Sequence, residues 1–137
     1  MDKYIYNKVV TAIIGNNNKI LILRRSNKVK SYMHEWACIS GYFEGNEDLL
    51  SRALTEINEE TKILKEDIIL RKILDPFDIL LGDRAILRIQ PFYFLSSSRN
   101  IVLNWEHDDY EWISKDQVND YKFVPQLRNI LRACFSI

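Results

Sequence analysis

The chain has only two cysteines in 137 residues, Cys38 and Cys134. They are too few and too far apart in sequence for a disulfide framework or a zinc site. Reduced structural thiols are the default for such a pair, which agrees with a cytoplasmic setting. An excess of one charge is missing too, because 19 Lys and Arg balance 19 Asp and Glu. That balance excludes bulk electrostatic attraction to nucleic acid or to a membrane surface. No apolar run reaches the length of about 18 residues that a membrane span needs, and the start Met1-Asp2-Lys3-Tyr4 has no apolar segment of a secretory signal. Repeats and low-complexity tracts are absent apart from the short Asn16-Asn17-Asn18 turn. The expectation is one domain over residues 1–137, long enough for a single substantial core.

Within that domain the apolar pattern alternates between strand and helix periods. Tyr4 to Ile14 and Lys19 to Leu23 read as two strands joined by a turn at Gly15 to Asn18. Short strands are expected at Trp36 to Ile39 and Tyr42 to Glu44, and longer ones at Ile68 to Ile73 and Ala85 to Leu95, the latter two linked by a turn region from Asp75 to Asp83. Ile101 to Leu103 reads as a short edge and Tyr110 to Ile113 as a last strand. Ser114 is placed to cap a short helix, and Pro125 to sit in the first turn of a terminal helix that runs to about Phe135. Strands in the middle with helices on either side predict an α/β fold, a mixed central sheet covered on both faces.

The chemistry concentrates between Gly41 and Ile63. With Glu47 as the first helical residue and Asn46 as its cap, a step of about 100° per position puts Leu49, Leu50, Ala53, Leu54 and Ile57 in one apolar stripe. Glu56, Glu59 and Glu60 then share the stripe's edge, where like charges three and four residues apart repel one another. Two of them also lie near the helix C-terminus, where the macrodipole disfavours anions. A structural helix gains by placing Lys or Arg there. Three glutamates on an arbitrary helix are usually a solvated acidic face; the alternative is a divalent cation such as Mg²⁺, which takes carboxylate oxygens and holds substrate phosphates on its remaining positions.

The loop ahead of the helix favours the cation. From Gly41 the spacing resembles the box of the Nudix family, G-x5-E-x7-R-E-U-x-E-E-x-G-U with U a bulky aliphatic residue, met here by Gly41, Glu47, Glu56, Ile57, Glu59, Glu60 and Ile63. Thr55 stands where the family has Arg, and Lys62 where it has Gly. The strand Ile20 to Arg25, Trp36, and the stretch from Trp105-Glu106-His107 to Ile113 are similar to the segments that flank the box in small members, so the resemblance covers nearly the whole chain. It implies an α/β/α sandwich and a Mg²⁺-dependent (Mn²⁺ as the substitute) hydrolase that cleaves a diphosphate bond in a nucleoside diphosphate linked to another group. Gly41, through its carbonyl, and Glu56, Glu59 and Glu60 are the implied metal ligands. The water that attacks phosphorus needs a base, for which Glu106, Glu59 and Glu56 are the candidates. Arg52, one turn before Thr55 and four residues before Glu56, is expected to replace the missing box arginine.

Substrate contacts are expected from Arg24, Arg25 and Arg52, since a chain without net charge must draw in a polyanion locally. Members of this size often resemble nucleoside triphosphate pyrophosphohydrolases that release a nucleoside monophosphate and pyrophosphate. Pro76 lies where ADP-ribose enzymes often carry a proline. Two rival readings belong to other classes. One is a Nudix-fold module that binds or senses a nucleotide without cleaving it, motivated by Thr55; the other is an isopentenyl diphosphate isomerase, whose protonation chemistry would call on Cys38. The expected partner is a small nucleotide or nucleoside diphosphate derivative, with no nucleic acid and no membrane. The apolar stretch Ile68 to Leu81 leaves room for a homodimer.

Overall fold

A computed structural model of the protein describes residues 4–43 and 45–137. Met1 to Lys3 and Glu44, the last residue of an expected strand, lie outside the described residues. The sheet is built around β1 (Ile5–Asn16), which runs parallel to β7 (Ala85–Ser96) over eleven paired positions from Ile5↔Ala85 to Gly15↔Leu95. Every other strand pairing among the described residues is antiparallel, and an isolated parallel bridge joins Trp36 to Phe123. β2 (Lys19–Arg25) joins β1 through Asn17 and Asn18, both at positive φ, as a two-residue hairpin of that kind requires. The two strands then separate: β2 pairs with β3 (Trp36–Ala37) and β8 (His107–Ile113), while β1 takes β4 (Ile39–Phe43). β5 (Ile68–Ile73) and β6 (Phe77–Leu81) both pair with β7.

Two helices, α1 (Leu49–Thr61) and α2 (Leu127–Phe135), cover the two faces. The strands alternate between them as a period of two demands. Val10, Ala12, Ile14, Leu21 and Leu23 pack under α1 with Ala53 and Ile57. Ile13, Ile20 and Ile22 point the other way, to Leu127, Leu131 and Cys134 of α2. The run Ile20-Leu21-Ile22-Leu23 carries no polar residue because both of its faces are buried. The expected α/β fold, with a mixed sheet between helices, is therefore the fold observed.

Three local expectations need correction. The region from Asp75 to Asp83 is not a turn throughout: Phe77–Leu81 forms β6, and the reversal is confined to 82–84, with Gly82 at positive φ. Residues 101–103 form no strand and bond across to the end of α1 through Val102 N–H to the Thr61 carbonyl at 2.9 Å. Pro125 precedes α2 rather than lying in its first turn, because Gln126 takes the left-handed cap position at φ 71. Ser114 caps as expected, closing a reciprocal box with Gln117 at the start of a short 3-10 segment, Lys115–Asp120. Trp36 packs edge-on against Tyr121 with 5.2 Å between ring centres, a packing role.

Candidate metal centre

α1 begins two residues later than its sequence suggested. Asp48, not Asn46, is the cap: its carboxylate accepts from Ser51 N–H at 3.1 Å and from the Ser51 hydroxyl at 3.0 Å. An aspartate that offers one oxygen to two donors holds the turn better than the asparagine two residues upstream. Glu47 thus lies before the helix. At the other end Lys62 takes the left-handed position at φ 63 and its N–H bonds to the Asn58 carbonyl at 2.9 Å, so the residue replacing the family's glycine keeps the glycine's geometry.

Between these ends the glutamates separate. Glu60 is 1% exposed. Glu56 is partly enclosed, and Glu59 stands out with 56% of its side chain exposed. Gly41 is a mid-strand residue paired with Val10, not a turn glycine. Its value is space, because a β-carbon there would collide with the Glu56 carboxyl. The residues brought together with Glu60 are Glu106 and His107, whose ligand atoms lie within 4.8 Å of one another and of Glu60. Glu56 and Glu59, both expected as ligands, are outside this group.

Glu106 and His107 reach Glu60 through the β2–β8 pairing. The register of that pair shifts between Arg24 and Arg25, and past the shift Ser26 takes hold of the chain: its N–H donates to the Glu106 carbonyl at 2.9 Å and its hydroxyl to the Trp105 carbonyl at 2.7 Å. Buried Ser26 thus positions Glu106, a part that nothing in the spacing along the chain marks. His107 is the first residue of β8 and is buried, with Nδ1 3.8 Å from Glu60 Oε1.

Charge in this pocket is poorly compensated. Burial, and then the neighbouring Glu106 and Glu56 carboxylates, push the Glu60 carboxyl up to about 11. Burial raises Glu56 as well, reinforced by Glu59, and burial is the main cause of the rise at Glu106. His107 moves down to about 4, chiefly because its ring is buried and then because of the Arg25 charge. Glu60 Oε2 and both ring nitrogens of His107 have no hydrogen-bond partner. A buried polar atom without a partner costs about 1–3 kcal/mol. Carboxylate oxygens and an imidazole, gathered and unpaired, are a donor set that fits a divalent cation.

Arg52 lies among the acids that precede and line α1. Its guanidinium is 3.7 Å from Glu56, 3.8 Å from Glu47 and 3.9 Å from Glu59, at the centre of three carboxylates. Thr55 itself is exposed and donates back to the Ser51 carbonyl at 3.0 Å, away from the acids. Arg24 pairs with Asp108 at 2.7 Å, and Arg25 donates to the Ser31 carbonyl at 2.9 Å while its charge reaches Glu106 and His107. Cys38 is buried, and its thiol is pushed up to about 12 by burial and then by Glu60, the opposite of what a reactive thiolate needs.

Comparison with known proteins follows the same line. A family model for the NUDIX domain matches residues 6–134. Among solved structures the chain is similar to the MutT protein from Methanosarcina mazei Go1, at 22% identity over 99% of this chain and 96% of that one, with a TM-score of 0.77. It is similar to a C. elegans Ap4A hydrolase at 18% identity, covering 95% and 96% of the two chains, with a TM-score of 0.70. A bifunctional NMN adenylyltransferase/ADP ribose pyrophosphatase from Francisella tularensis matches at 22% identity and a TM-score of 0.78, over 99% of this chain and 42% of that one. No curated protein matches the sequence. The fold and the family match over nearly the whole chain agree with the spacing of the box: the chain belongs to the NUDIX domain family.

Proposed function

We propose that the protein hydrolyses a nucleoside triphosphate to the monophosphate and pyrophosphate, with Mg²⁺ or Mn²⁺ bound by Glu56, Glu60, Glu106 and the Gly41 carbonyl, and with Glu59 at the exposed rim. The observation that carries the metal reading is Glu60, almost wholly buried beside two other carboxyls and with one oxygen unpartnered. A carboxylate is not held in that setting for packing, since an aliphatic residue would serve better. The bound cation supplies charge neutralisation on the phosphate oxygens and acidifies the attacking water.

The chain's own residues divide the remaining work. Glu106 is less enclosed than Glu60 and is anchored by Ser26, so it takes the proton of the attacking water at its carboxylate. The water oxygen bonds to phosphorus, the anhydride bond on that phosphorus breaks, and the leaving fragment takes the bridging oxygen and its electron pair. Arg52 fixes Glu56 and Glu59 in place, and Arg25 offers positive charge at the mouth of the site. Glu56 rests in the space that Gly41 leaves.

The test is a panel of nucleoside triphosphates, ADP-ribose and dinucleoside polyphosphates in Mg²⁺ or Mn²⁺, read as released monophosphate and pyrophosphate, with Glu60→Gln as the control. Turnover on a triphosphate that disappears in the variant supports the proposal. Turnover confined to ADP-ribose or to dinucleotides overturns the substrate and keeps the chemistry. Nucleotide bound in the presence of metal and released unchanged makes the protein a binding module.

A further inference from the structure

We infer that His107 donates a ring nitrogen to the cation held by Glu60 and Glu106, which makes this a mixed nitrogen and oxygen site with a bias toward Mn²⁺ over Mg²⁺. The inference rests on the metal reading above and adds a ligand and an ion preference to it. Three observations lead there. His107 is 5% exposed and neither of its ring nitrogens has a partner. An imidazole always carries at least one N–H donor, and a neutral one also carries an acceptor, so packing alone leaves both unpaired at a cost that an aliphatic side chain would avoid.

The spacing is the second observation. His107 Nδ1 stands 3.8 Å from Glu60 Oε1, too long for a hydrogen bond. Two ligands that each lie about 2.1 Å from one ion are separated by about 3.0 Å when adjacent and about 4.2 Å when opposite in an octahedron. The observed gap falls between those values. The third is convergence, since the ligand atoms of Glu60, Glu106 and His107 lie within 4.8 Å of one another, so a small rotation of one side chain closes the set.

The ion preference follows from donor chemistry. Mg²⁺ demands octahedral oxygen and keeps its waters, whereas affinity for imidazole rises along the first-row divalent series, in which Mn²⁺ is the weakest member and shares with Mg²⁺ a liking for carboxylate oxygen. A nitrogen ligand still does more for Mn²⁺ than for Mg²⁺.

Mn²⁺ is both ligand and probe. Pulsed electron paramagnetic resonance of the full chain loaded with one equivalent of Mn²⁺ should show nitrogen modulation from a directly bound imidazole. Labelling histidine alone with ¹⁵N should change that pattern, and because the chain has only two histidines, His34→Gln assigns the signal without touching the site. His107→Gln should abolish the modulation and weaken Mn²⁺ binding about tenfold or more, with a smaller change for Mg²⁺. The labelled wild-type protein decides the question even if that variant fails to fold. Mn²⁺ bound without histidine nitrogen coupling overturns the inference and leaves the hydrolase reading standing; failure of the wild-type protein to bind Mn²⁺ overturns both.

Discussion

The two faces of the sheet are built from the same strands and packed with the same kind of residue, yet only one of them buries charge. Under α2 lie Ile13, Ile20, Ile22, Ile113, Val118, Leu127 and Leu131, together with two cysteines. The thiols of Cys38 and Cys134 are both pushed up to about 12, first of all by burial, so neither is ionised at neutral pH, and the charge of Arg128 lies at the edge of the layer over the Phe123 ring. The α1 side has an equivalent apolar layer, but its helix ends in buried Glu60 beside buried His107. The α2 side shows that this chain can close a sheet face without burying a carboxylate or an imidazole among the described residues. The carboxyl and imidazole on the α1 side are therefore an expense that packing does not explain, which is what the proposed metal site accounts for.

Substitutions on the two faces should separate stability from activity. Glu60→Gln should lower kcat on the order of 10³-fold, the scale for loss of a preorganised electrostatic stabiliser, while the metal-free variant melts no lower than the parent. Pyrophosphate release and a thermal scan in chelator check the two halves. Leu131→Ala, on the opposite face, should do the reverse: a loss of about 2–5 kcal/mol in denaturant unfolding with kcat per folded molecule unchanged. Gly41→Ala should cost about 10²-fold in kcat, because the new methyl displaces the Glu56 carboxyl. Normal turnover in that variant would show that Glu56 is dispensable.

Arg52→Ala should lower kcat/KM about tenfold, whereas Arg132→Ala, a change of the same kind on α2, should not. Equal effects would remove the argument that Arg52 stands in for the box arginine.

The smallest effect concerns pH in the metal-free protein. Glu60 holds its proton in the folded state well above the pH at which it is lost in the unfolded chain. Its contribution is therefore complete at low pH and is lost as pH rises toward about 11. His107 has the opposite sign: its folded value, about 4, is below the unfolded one, so its contribution is present above about 6.5 and is lost as pH falls toward 4. Between pH 7 and 8 the Glu60 effect should dominate, with stability in chelator falling by about 1.4 kcal/mol per pH unit, and above about pH 8.5 the buried Cys38 and Cys134 thiols should add a loss of the same sign. Glu60→Gln should flatten the slope, and saturating Mn²⁺ should reverse it, because the cation takes the ionised form.

Much of this was legible in the sequence, and the misreadings have local causes. The box helix, the β1–β2 hairpin and the long strands β5 and β7 carry strong periodic signals and stand where expected within a residue or two, whereas β4 and β8 each begin three residues earlier than expected, at Ile39 and His107. β6 was missed because Pro76, Gly82 and the flanking aspartates look like turn chemistry, and what makes Phe77–Leu81 a strand is the long partner β7 beside it. Asn46 and Asp48 are both acceptable caps by type, and only the hydrogen bonds to Ser51 decide for Asp48. His107 carried little weight as a lone histidine. Its meaning depends on Glu60, 47 positions away, which it meets only when β8 docks on β2.

The sequence by itself determined the family, the order of most elements and the row of glutamates, because each of these is written in spacing along the chain. Tertiary structure decided which glutamate is buried, which stands in solvent, and which residues from elsewhere join them. Those are matters of solvation, and solvation is set by the surfaces that close over a side chain rather than by its neighbours in sequence. Glu59 and Glu60 are adjacent residues of the same type, and the sheet beneath α1 alone makes one a rim charge and the other the buried centre of the site.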